Sequence, residues 1–287
     1  MEQNIASKNL RGAKRALIIF TDLDGTLLDS VTYSFDAARE ALVQLLARSI
    51  PVIIVSSKTR SEIEPLRFQI HNEHPFIVEN GGAVVVPSDY FPFPLTGAVT
   101  SGHYQVVGLG TPYPLLRAAL KEVEKELGRE LRGYGDMSVD EIAARTGLSR
   151  QEAELAKQRD YDEPFIMEGP GCREETVVEA ITTRALSCTK GDSFYHLMGP
   201  QDKGRAVRYL IQCYQRRASD DTEALTTVAI GNSVNDLPML AAVDEPILLQ
   251  QGDGSYVCGF ELPRVKLAPG PGPAGWNRAI LSLLQGT

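Results

Sequence analysis

The chain has 287 residues, of which 43% are hydrophobic and 23% are charged, and its formal net charge is −8. This composition is typical of a soluble globular protein with two domains or one large one, and it allows a sizeable core. Nucleic acid is not expected as the main partner, because phosphate backbones select clusters of Lys and Arg and the sequence has no block of like charge. A small anionic substrate needs only a local positive site and is not excluded.

The cysteines and the start of the chain favour a cytoplasmic protein. None of the four cysteines lies in a CxxC pair or at metal-ligand spacing to a histidine, which is typical of reduced thiols. The polar N-terminus lacks the apolar segment of a signal peptide, and we expect residues 1–14 to be frayed. No apolar stretch approaches the length of a membrane span, so no membrane partner is expected.

The first third of the chain predicts a parallel sheet. Residues 16–21 and 51–55 are short apolar, β-branched runs, which indicate strands that are buried on both faces. Residues 34–49 have apolar side chains at helical spacing, and residues 61–70 predict a shorter helix. Residues 76–87 predict a strand, a Gly-Gly turn and another strand. The alternation of strands and helices indicates a doubly wound α/β fold.

The composition changes after residue 87. Residues 88–114 are rich in Pro, Gly and aromatic side chains, which indicates loops and an edge strand. Helices are predicted over 114–128, 138–147 and 149–160. Ser138 and Ser149 each precede a glutamate by three residues, the spacing of a capping box. We therefore expect an inserted α+β module over residues 88–195.

The core pattern then resumes, which predicts a core made of residues 1–87 and 196–287. A helix is predicted over 202–217, a strand followed by a loop and the start of a helix over 226–240, and a short strand over 245–250. Residues 269–275, PGPGPAG, predict a rigid turn before a last helix.

Two aspartates, Asp22 and Asp24, end the first predicted strand, and Gly25 and Thr26 follow. In a parallel α/β sheet, ligands bind beyond the carboxyl ends of the strands. The spacing lets both carboxylates point towards one pocket. An Asp-Gly pair is also a common turn, so this pattern alone does not decide between a turn and a site.

Polar residues at three further places favour a site. Ser56 follows the second strand, Lys203 begins a helix, and Asn232 and Asp236 follow a later strand. A solvated helix-start lysine is the alternative interpretation of Lys203. In this order, DLDGT, S, K and GNSVND resemble the motifs of the haloacid dehalogenase-like phosphatase superfamily, which read DxDGT, Ser or Thr, Lys and GDxxxD.

This resemblance implies a Mg²⁺-dependent phosphatase with a cap inserted into the core. Asp22 is then expected to attack phosphorus and form an aspartyl-phosphate, while Asp24 protonates the leaving alkoxide and later activates water. Lys203 is expected to offset the charge of the phosphoryl oxygens. The implied metal ligands are Asp22, the backbone C=O of Asp24, and Asn232 and Asp236 in the loop over 231–236. The implied phosphate- or substrate-binding residues of the core are Thr26, Ser56, Ser57, Lys58 and Asn235.

Asn232 departs from the pattern, because the superfamily usually has Asp at this place. An amide oxygen can bind Mg²⁺ but brings no charge, so we expect weaker metal affinity, with Asp236 contributing more. A second interpretation is that Asn232 marks an engineered or impaired site.

The sequence of the insert and of the segments around it narrows the resemblance from the superfamily to one family. The stretches SSKTRSEIE, IVENGGAVVVP, RGYGDMSVDEIAARTGLSRQEAELAKQRDYDEPF and FYHLMGPQDKGRAV resemble the mannosyl-3-phosphoglycerate phosphatase family through most of residues 16–250. This family removes phosphate from mannosyl-3-phosphoglycerate or its glucosyl analogue and leaves a glycosylglycerate solute. The position of the insert resembles an α+β cap of the second type.

The cap must supply a cation for the substrate carboxylate and partners for the sugar hydroxyls. The candidate cations are Arg132, Arg159 and Lys190, and the candidate hydroxyl partners are Tyr134, Asp136, Glu163 and His196. His196 can equally be a core histidine, and the others can be surface or capping residues. Where the family usually has Gly-Gly-Arg-Phe, this chain has Gly-Asp-Ser-Phe over 191–194. Lys190 is our hypothesis for the substitute of the missing arginine.

Three alternatives stay open. The substrate can be another sugar phosphate, such as a hexose or sucrose phosphate. The protein can be a non-catalytic sugar-phosphate-binding protein that is impaired at Asn232. It can also transfer phosphoryl groups between sugars through the same aspartyl-phosphate. The choice between mannose and glucose and the oligomeric state do not follow from the sequence.

Overall fold

The computed structural model describes residues 16–168, 173–190, 194–217, 225–259 and 261–285. The chain begins with β1 (Ala16–Thr21), α1 (Arg39–Ala47), β2 (Val52–Val55), α2 (Arg60–Gln69), β3 (Phe76–Val78), β4 (Ala83–Pro87), β5 (Val99–Ser101) and β6 (Tyr104–Gly108). It continues with α3 (Tyr113–Leu127), β7 (Glu130–Gly133), α4 (Val139–Thr146), α5 (Arg150–Ala156), β8 (Asp162–Glu168), α6 (Glu174–Thr182), β9 (Ser187–Lys190) and β10 (Tyr195–Met198). It ends with α7 (Lys203–Arg217), β11 (Leu225–Gly231), α8 (Leu237–Leu240), β12 (Glu245–Gln250), β13 (Lys266–Pro271) and α9 (Gly272–Gln285). The frayed tail expected over 1–14 lies outside the described residues.

A large sheet has the strand order β13-β12-β11-β1-β2-β3-β4-β6-β5. The strands from β13 to β3 are parallel, whereas β4, β6 and β5 extend the sheet by antiparallel pairing. The apolar side chains of β1 pack alternately into two hydrophobic clusters, one on each face. Side chains of α1, α2 and α9 complete the first cluster, and those of α7 and α8 complete the second. The expected doubly wound α/β fold is confirmed.

A smaller antiparallel sheet has the order β7-β8-β10-β9. Helices α3 and α6 pack on it around fully buried side chains such as Leu120, Phe165 and Leu197. Helices α4 and α5 begin with the expected capping boxes, in which the hydroxyls of Ser138 and Ser149 accept from a backbone N–H three residues later. This combination of helices and antiparallel strands is the α+β architecture that was expected for the insert.

The limits of the two sheets in the chain do not coincide with residues 88 and 195, where the insert was expected to begin and end. Strand β6 pairs with β4, and β5 pairs with β6, so the large sheet extends to Gly108. Strand β10 pairs with β8 and β9, so the small sheet extends to Met198. The composition change at residue 88 marks proline-rich loops, whereas sheet membership depends on backbone pairing between distant segments. We propose that the core and the insert divide at these sheet limits.

Residues 269–275 do not form the single rigid turn that was expected. They are shared between the end of β13 and the start of α9. Strand β13 is an edge strand, and proline is tolerated at a sheet edge because its missing N–H can face solvent. Pro273 lies in the first turn of α9, where a helix needs no N–H donor. In the part of the chain that the structure describes, no helix is long and apolar enough to cross a membrane.

Candidate active site

Three neighbouring parallel strands carry residues of the predicted site at their carboxyl ends. Asp22 directly follows β1, Ser56 directly follows β2, and Asn232 directly follows β11. Strand β1 lies between the other two and pairs with both in parallel, so these residues meet at one edge of the sheet. The strand order reverses at β1, which is where open α/β sheets form ligand crevices.

Lys203 connects two of the motifs through a buried ammonium group. Its side chain is 1% exposed, and its Nζ donates to Asp22 Oδ1 and to Asp236 Oδ1, each at 2.7 Å. Burial opposes the charge of Lys203, but the two carboxylates together outweigh it and raise the pKa of the ammonium. Burial also raises the pKa of Asp22, and repulsion from Asp236 adds to the rise while Lys203 counteracts it. This burial excludes the alternative of a solvated helix-start lysine.

Asp24 has a different partner, which separates it chemically from Asp22. Its Oδ2 lies 3.1 Å from Lys58 Nζ, and the same ammonium lies 5.0 Å from the centroid of the Tyr33 ring. Burial opposes the charge of Lys58, but Asp24 and Glu62 outweigh it and raise the pKa of this lysine. The side chain of Asp24 is 39% exposed, against 9% for that of Asp22. Asp24 is therefore the carboxylate that can exchange protons with a substrate or with water.

Buried oxygen atoms at this edge lack a hydrogen-bond partner among the described residues: Asp24 Oδ1, Thr26 Oγ1 and Asn232 Oδ1. Buried polar atoms are normally paired, so these atoms mark places for an ion, a ligand or water. The amide of Asn232 packs against Gly25, where a Cβ would overlap with its Nδ2. Carboxylate and amide oxygens are ligands that Mg²⁺ prefers in proteins. The residues present therefore fit a magnesium ion.

Asp236 holds the loop that follows β11. Its Oδ2 accepts from the backbone N–H of Asn232 at 2.9 Å and of Ser233 at 3.0 Å, and its Oδ1 accepts from Lys203. Within the described ranges, no group of three or more His, Cys, Asp and Glu side chains forms a metal site. The role of Asp236 as a further metal ligand stays a prediction.

Hydrogen bonds at the predicted phosphate-binding residues fix the loops that follow β2 and β11, the two strands next to β1. Ser56 is fully buried, and its Oγ accepts from the backbone N–H two residues later at 3.2 Å. The C=O of Ser57 accepts from Arg159 Nη1 at 2.9 Å. In the loop after β11, Asn235 Nδ2 donates to Asn80 Oδ1 at 3.2 Å. These bonds pre-form the loops before a substrate arrives.

Two candidates of the insert, Arg159 and His196, are linked through one carboxylate. Arg159 is 6% exposed in its side chain, and its guanidinium lies 3.6 Å from Asp162 and 3.7 Å from Glu62 on α2. His196 Nδ1 lies 2.8 Å from the same Asp162 oxygen across β8 and β10. Since this contact occupies Nδ1, the Nε2 atom of His196 is left for another partner.

The other candidates of the insert also have partners, and the Tyr134 ring centroid lies 5.7 Å from the Arg159 guanidinium. Lys190 is 62% exposed in its side chain and pairs with Glu174 at 3.1 Å. The remaining candidates have partners within the insert: Arg132 with Glu141, Asp136 and Glu163 with Arg117, and Tyr134 with Phe194. The Gly-Asp-Ser sequence over 191–193, where the expected arginine is missing, lies outside the described residues.

Sequence reasoning missed two buried carboxylates that organise these parts. Asp162 fixes His196, and Glu79 accepts hydrogen bonds from the backbone of residues 160–161. Glu-Asn-Gly-Gly between two apolar runs indicates a turn. No local pattern indicates that the glutamate side chain is buried against a segment about eighty residues away.

Comparisons with known proteins show which families this chain resembles. The model of haloacid dehalogenase-like hydrolases matches residues 19–91. The chain is 44% identical to a glucosyl-3-phosphoglycerate/mannosyl-3-phosphoglycerate phosphatase of Methanococcoides burtonii, over 93% of this chain and 97% of that protein. It is 36% identical to a mannosyl-3-phosphoglycerate phosphatase of Pyrococcus furiosus, over 81% of this chain and 90% of that protein.

Solved structures share the fold. A haloacid dehalogenase-like hydrolase from Bacteroides thetaiotaomicron matches with a TM-score of 0.61 at 16% identity, over 94% of this chain and 100% of that one. A HAD subclass IIB sugar phosphatase matches with a TM-score of 0.59 at 14% identity, over 93% of this chain and 98% of that one. By the identities and the coverage of its sequence relatives, the chain belongs to the glucosyl-3-phosphoglycerate/mannosyl-3-phosphoglycerate phosphatase family of haloacid dehalogenase-like hydrolases.

Proposed function

We propose that the protein hydrolyses mannosyl-3-phosphoglycerate or glucosyl-3-phosphoglycerate to the glycosylglycerate, a compatible solute, and phosphate. The observation that carries this proposal is the convergence of Asp22, Asp24 and Lys203 at the strand ends, under an insert that sends Arg159 to the same loops. The printed activities of the relatives from Methanococcoides burtonii and Pyrococcus furiosus support the substrate class.

The two aspartates have separate tasks in this mechanism. A carboxylate oxygen of Asp22 bonds to phosphorus as the ester P–O bond breaks, and the leaving alkoxide takes a proton from Asp24. Asp24 then takes a proton from the water that attacks the aspartyl-phosphate, so that phosphate leaves, Asp22 becomes a carboxylate again and Asp24 returns to its protonated form. A Mg²⁺ ion that Asp22, the backbone C=O of Asp24 and Asn232 would hold would supply positive charge that offsets the charge of the phosphate.

Other residues of the core bind and orient the phosphate. Lys203 holds Asp22 and supplies a fixed positive charge at the reacting oxygens. The buried hydroxyls of Thr26 and Ser56 provide hydrogen-bond donors. Backbone and side-chain groups of Ser57 and Asn235 fix the flanking loops.

The insert recognises the rest of the substrate. Arg159 and His196 are its candidates for the carboxylate and the sugar hydroxyls, and Asp162 holds both. Closure of the insert over the crevice excludes water and strengthens these polar contacts. A location in the cytoplasm belongs to the same proposal, and the free cysteines Cys188, Cys213 and Cys258 fit it. Cys172 lies outside the described residues.

We expect Lys58→Ala to raise the KM for the glycosyl-3-phosphoglycerate about tenfold or more, because a bond to a charged group is lost. Lys58 lies 3.1 Å from Asp24, and we propose that it binds an anionic group of the substrate in addition to Arg159. Lys190→Ala should change KM less, because this side chain is 62% exposed and already pairs with Glu174. Steady-state kinetics of both variants decide between the two lysines. A larger effect of Lys190→Ala would assign the contact with the substrate carboxylate to Lys190.

We expect Asn232→Asp to bind Mg²⁺ at least about tenfold more tightly than the natural protein, because a carboxylate adds negative charge beside the cation. Calorimetric titration of the metal-free protein measures this without reference to activity. Asn235→Asp adds the same charge to the same loop and is the matched control. Equal affinities of Asn232→Asp and the natural protein would contradict the ligand role of residue 232.

Release of phosphate from a panel of esters tests the proposed function. The panel contains both glycosyl-3-phosphoglycerates, hexose phosphates and sucrose phosphate, with Asp22→Asn as the blank and alcohols as alternative acceptors. We expect the highest kcat/KM for one of the glycosyl-3-phosphoglycerates. A higher kcat/KM for another sugar phosphate would identify that compound as the substrate instead. Ligand binding without turnover at saturating Mg²⁺ would make the protein a binding protein.

A further inference from the structure

The turn between β3 and β4, residues Glu79–Gly82, has an unusual backbone. Glu79 and Asn80 have φ angles of 48° and 56°, in the left-handed region that side chains rarely adopt. Both residues are buried, with exposures of 1% and 7%. Such backbone persists only where surrounding contacts hold it, and it often occurs at functional sites.

One set of contacts joins this turn to the core loops of the site. The backbone N–H groups of Glu79 and Asn80 donate to the C=O groups of Lys58 and Ser56, each at 3.0 Å. The Asn80 side chain accepts from Asn235 in the loop after β11. The turn is therefore bonded to the loops after both strands that flank β1.

A second set of contacts joins the same turn to the insert. The Glu79 carboxylate accepts from the N–H of Asp160 at 3.0 and 3.1 Å and from that of Tyr161 at 2.8 Å. The C=O of Gly82 accepts from the N–H groups of residues 109 and 110, where the chain leaves the large sheet. A Cβ at Gly81 would overlap with the backbone of Asp202, where the chain returns to the core.

The residues on either side of the Glu79 contact carry the insert's candidate binding groups. Arg159 precedes Asp160 and donates to the C=O of Ser57. Asp162 follows Tyr161 and holds His196. A displacement of the 160–161 backbone would therefore move both groups relative to the core. Burial raises the pKa of Glu79 to about 7, and the Arg159 guanidinium is the largest influence against that rise.

We propose that Glu79 is a positioning residue for substrate recognition: its carboxylate fixes the start of β8, and with it Arg159 and Asp162, over the phosphate-binding loops. This inference rests on the proposed function for its substrate. Glu79 itself takes no part in phosphoryl transfer, since its hydrogen-bonding capacity is directed to the insert backbone. The turn itself does not require a glutamate at residue 79, because Asn or Gly adopts a positive φ at a lower cost. The carboxylate of Glu79 therefore has a role besides forming the turn.

The test is Glu79→Gln, which keeps the shape but places an amide NH₂ opposite a backbone N–H donor. We expect kcat/KM for the glycosyl-3-phosphoglycerate to fall on the order of tenfold to a hundredfold, mainly through KM. For phenyl phosphate, which has neither sugar nor carboxylate to reach the insert, kcat/KM should change less than about twofold. If the natural protein does not cleave phenyl phosphate, the affinities of the natural protein and of Glu79→Gln for inorganic phosphate are compared by calorimetry instead. An equal fall for both esters, or no fall for either, would overturn the proposal.

Glu64→Gln is the matched control, since Glu64 makes a half-exposed ion pair with Arg60 on the surface of α2. It should leave both kinetic constants unchanged. Hydrogen exchange needs no substrate and separates this inference from the proposed function: in Glu79→Gln, exchange should accelerate over 158–163 and not over 18–21. Unchanged exchange over 158–163 would refute the positioning role even if the ester panel succeeds. Should Glu79→Gln not fold, Glu79→Asn, which tolerates the left-handed backbone, is measured in the same way.

Discussion

Replacing Asp22 by asparagine is expected to reduce the release of phosphate by at least about 10³-fold. Asparagine keeps the size of the side chain in a position that is 6% exposed, so the change removes the nucleophile rather than the packing. An amide oxygen is a far weaker nucleophile than a carboxylate. Lys203 loses one of its two charged partners, and this adds to the loss of activity.

Asp29→Asn is the matched control for this variant. Asp29 belongs to the same segment, but among the described residues its carboxylate accepts hydrogen bonds only from Val31 and Thr32 on the surface. We expect it to retain activity within about twofold. Acid quenching during turnover of labelled substrate should trap protein-bound phosphate on the natural protein and not on Asp22→Asn. Retention of a tenth or more of the activity by Asp22→Asn would move the nucleophile to another residue.

The core of the site could be predicted because its residues follow elements with strong local patterns. Asp22 and Ser56 each end an apolar β-branched run, so the sequence fixes where each strand ends. Parallel pairing around β1 then brings Asp22, Ser56 and Asn232 together as a consequence of the fold class. Lys203 begins α7 as expected, but only packing decides that its ammonium is buried between two carboxylates.

The remaining parts depend on contacts between distant residues. Arg159 was one of three candidate cations for the substrate carboxylate, and its bond to the C=O of Ser57 joins residues 102 positions apart. The Glu79 carboxylate meets a backbone 81 and 82 positions further along the chain. The pairing of β6 with β4 likewise assigns a proline-rich region to the large sheet. None of these contacts leaves a periodic pattern in the sequence, so local reasoning does not predict them.

Replacing Lys203 by methionine is expected to lower both stability and activity. The ammonium lies 2.7 Å from two carboxylates that are themselves buried, so its removal leaves two neighbouring buried carboxylates without a counter-charge. Breaking a buried pair in this way typically costs about 3–5 kcal/mol in the free energy of unfolding. The loss of a fixed charge at the phosphoryl group should also lower kcat by about 10²- to 10³-fold.

A double-mutant cycle in urea identifies the source of this loss. If repulsion between the carboxylates is the cause, Lys203→Met combined with Asp236→Asn should be more stable than the sum of the single effects predicts, because the second change removes one of the charges. Lys266→Met is the control, since that lysine forms an exposed pair with Glu245 and should cost less than about 1 kcal/mol. Additivity within about 0.5 kcal/mol would show that Lys203 stabilises the fold through its packing and not through its charge. In that case the charge of Lys203 would contribute to the reaction and not to the free energy of unfolding. The fall in kcat would then measure the effect of this charge on the phosphate.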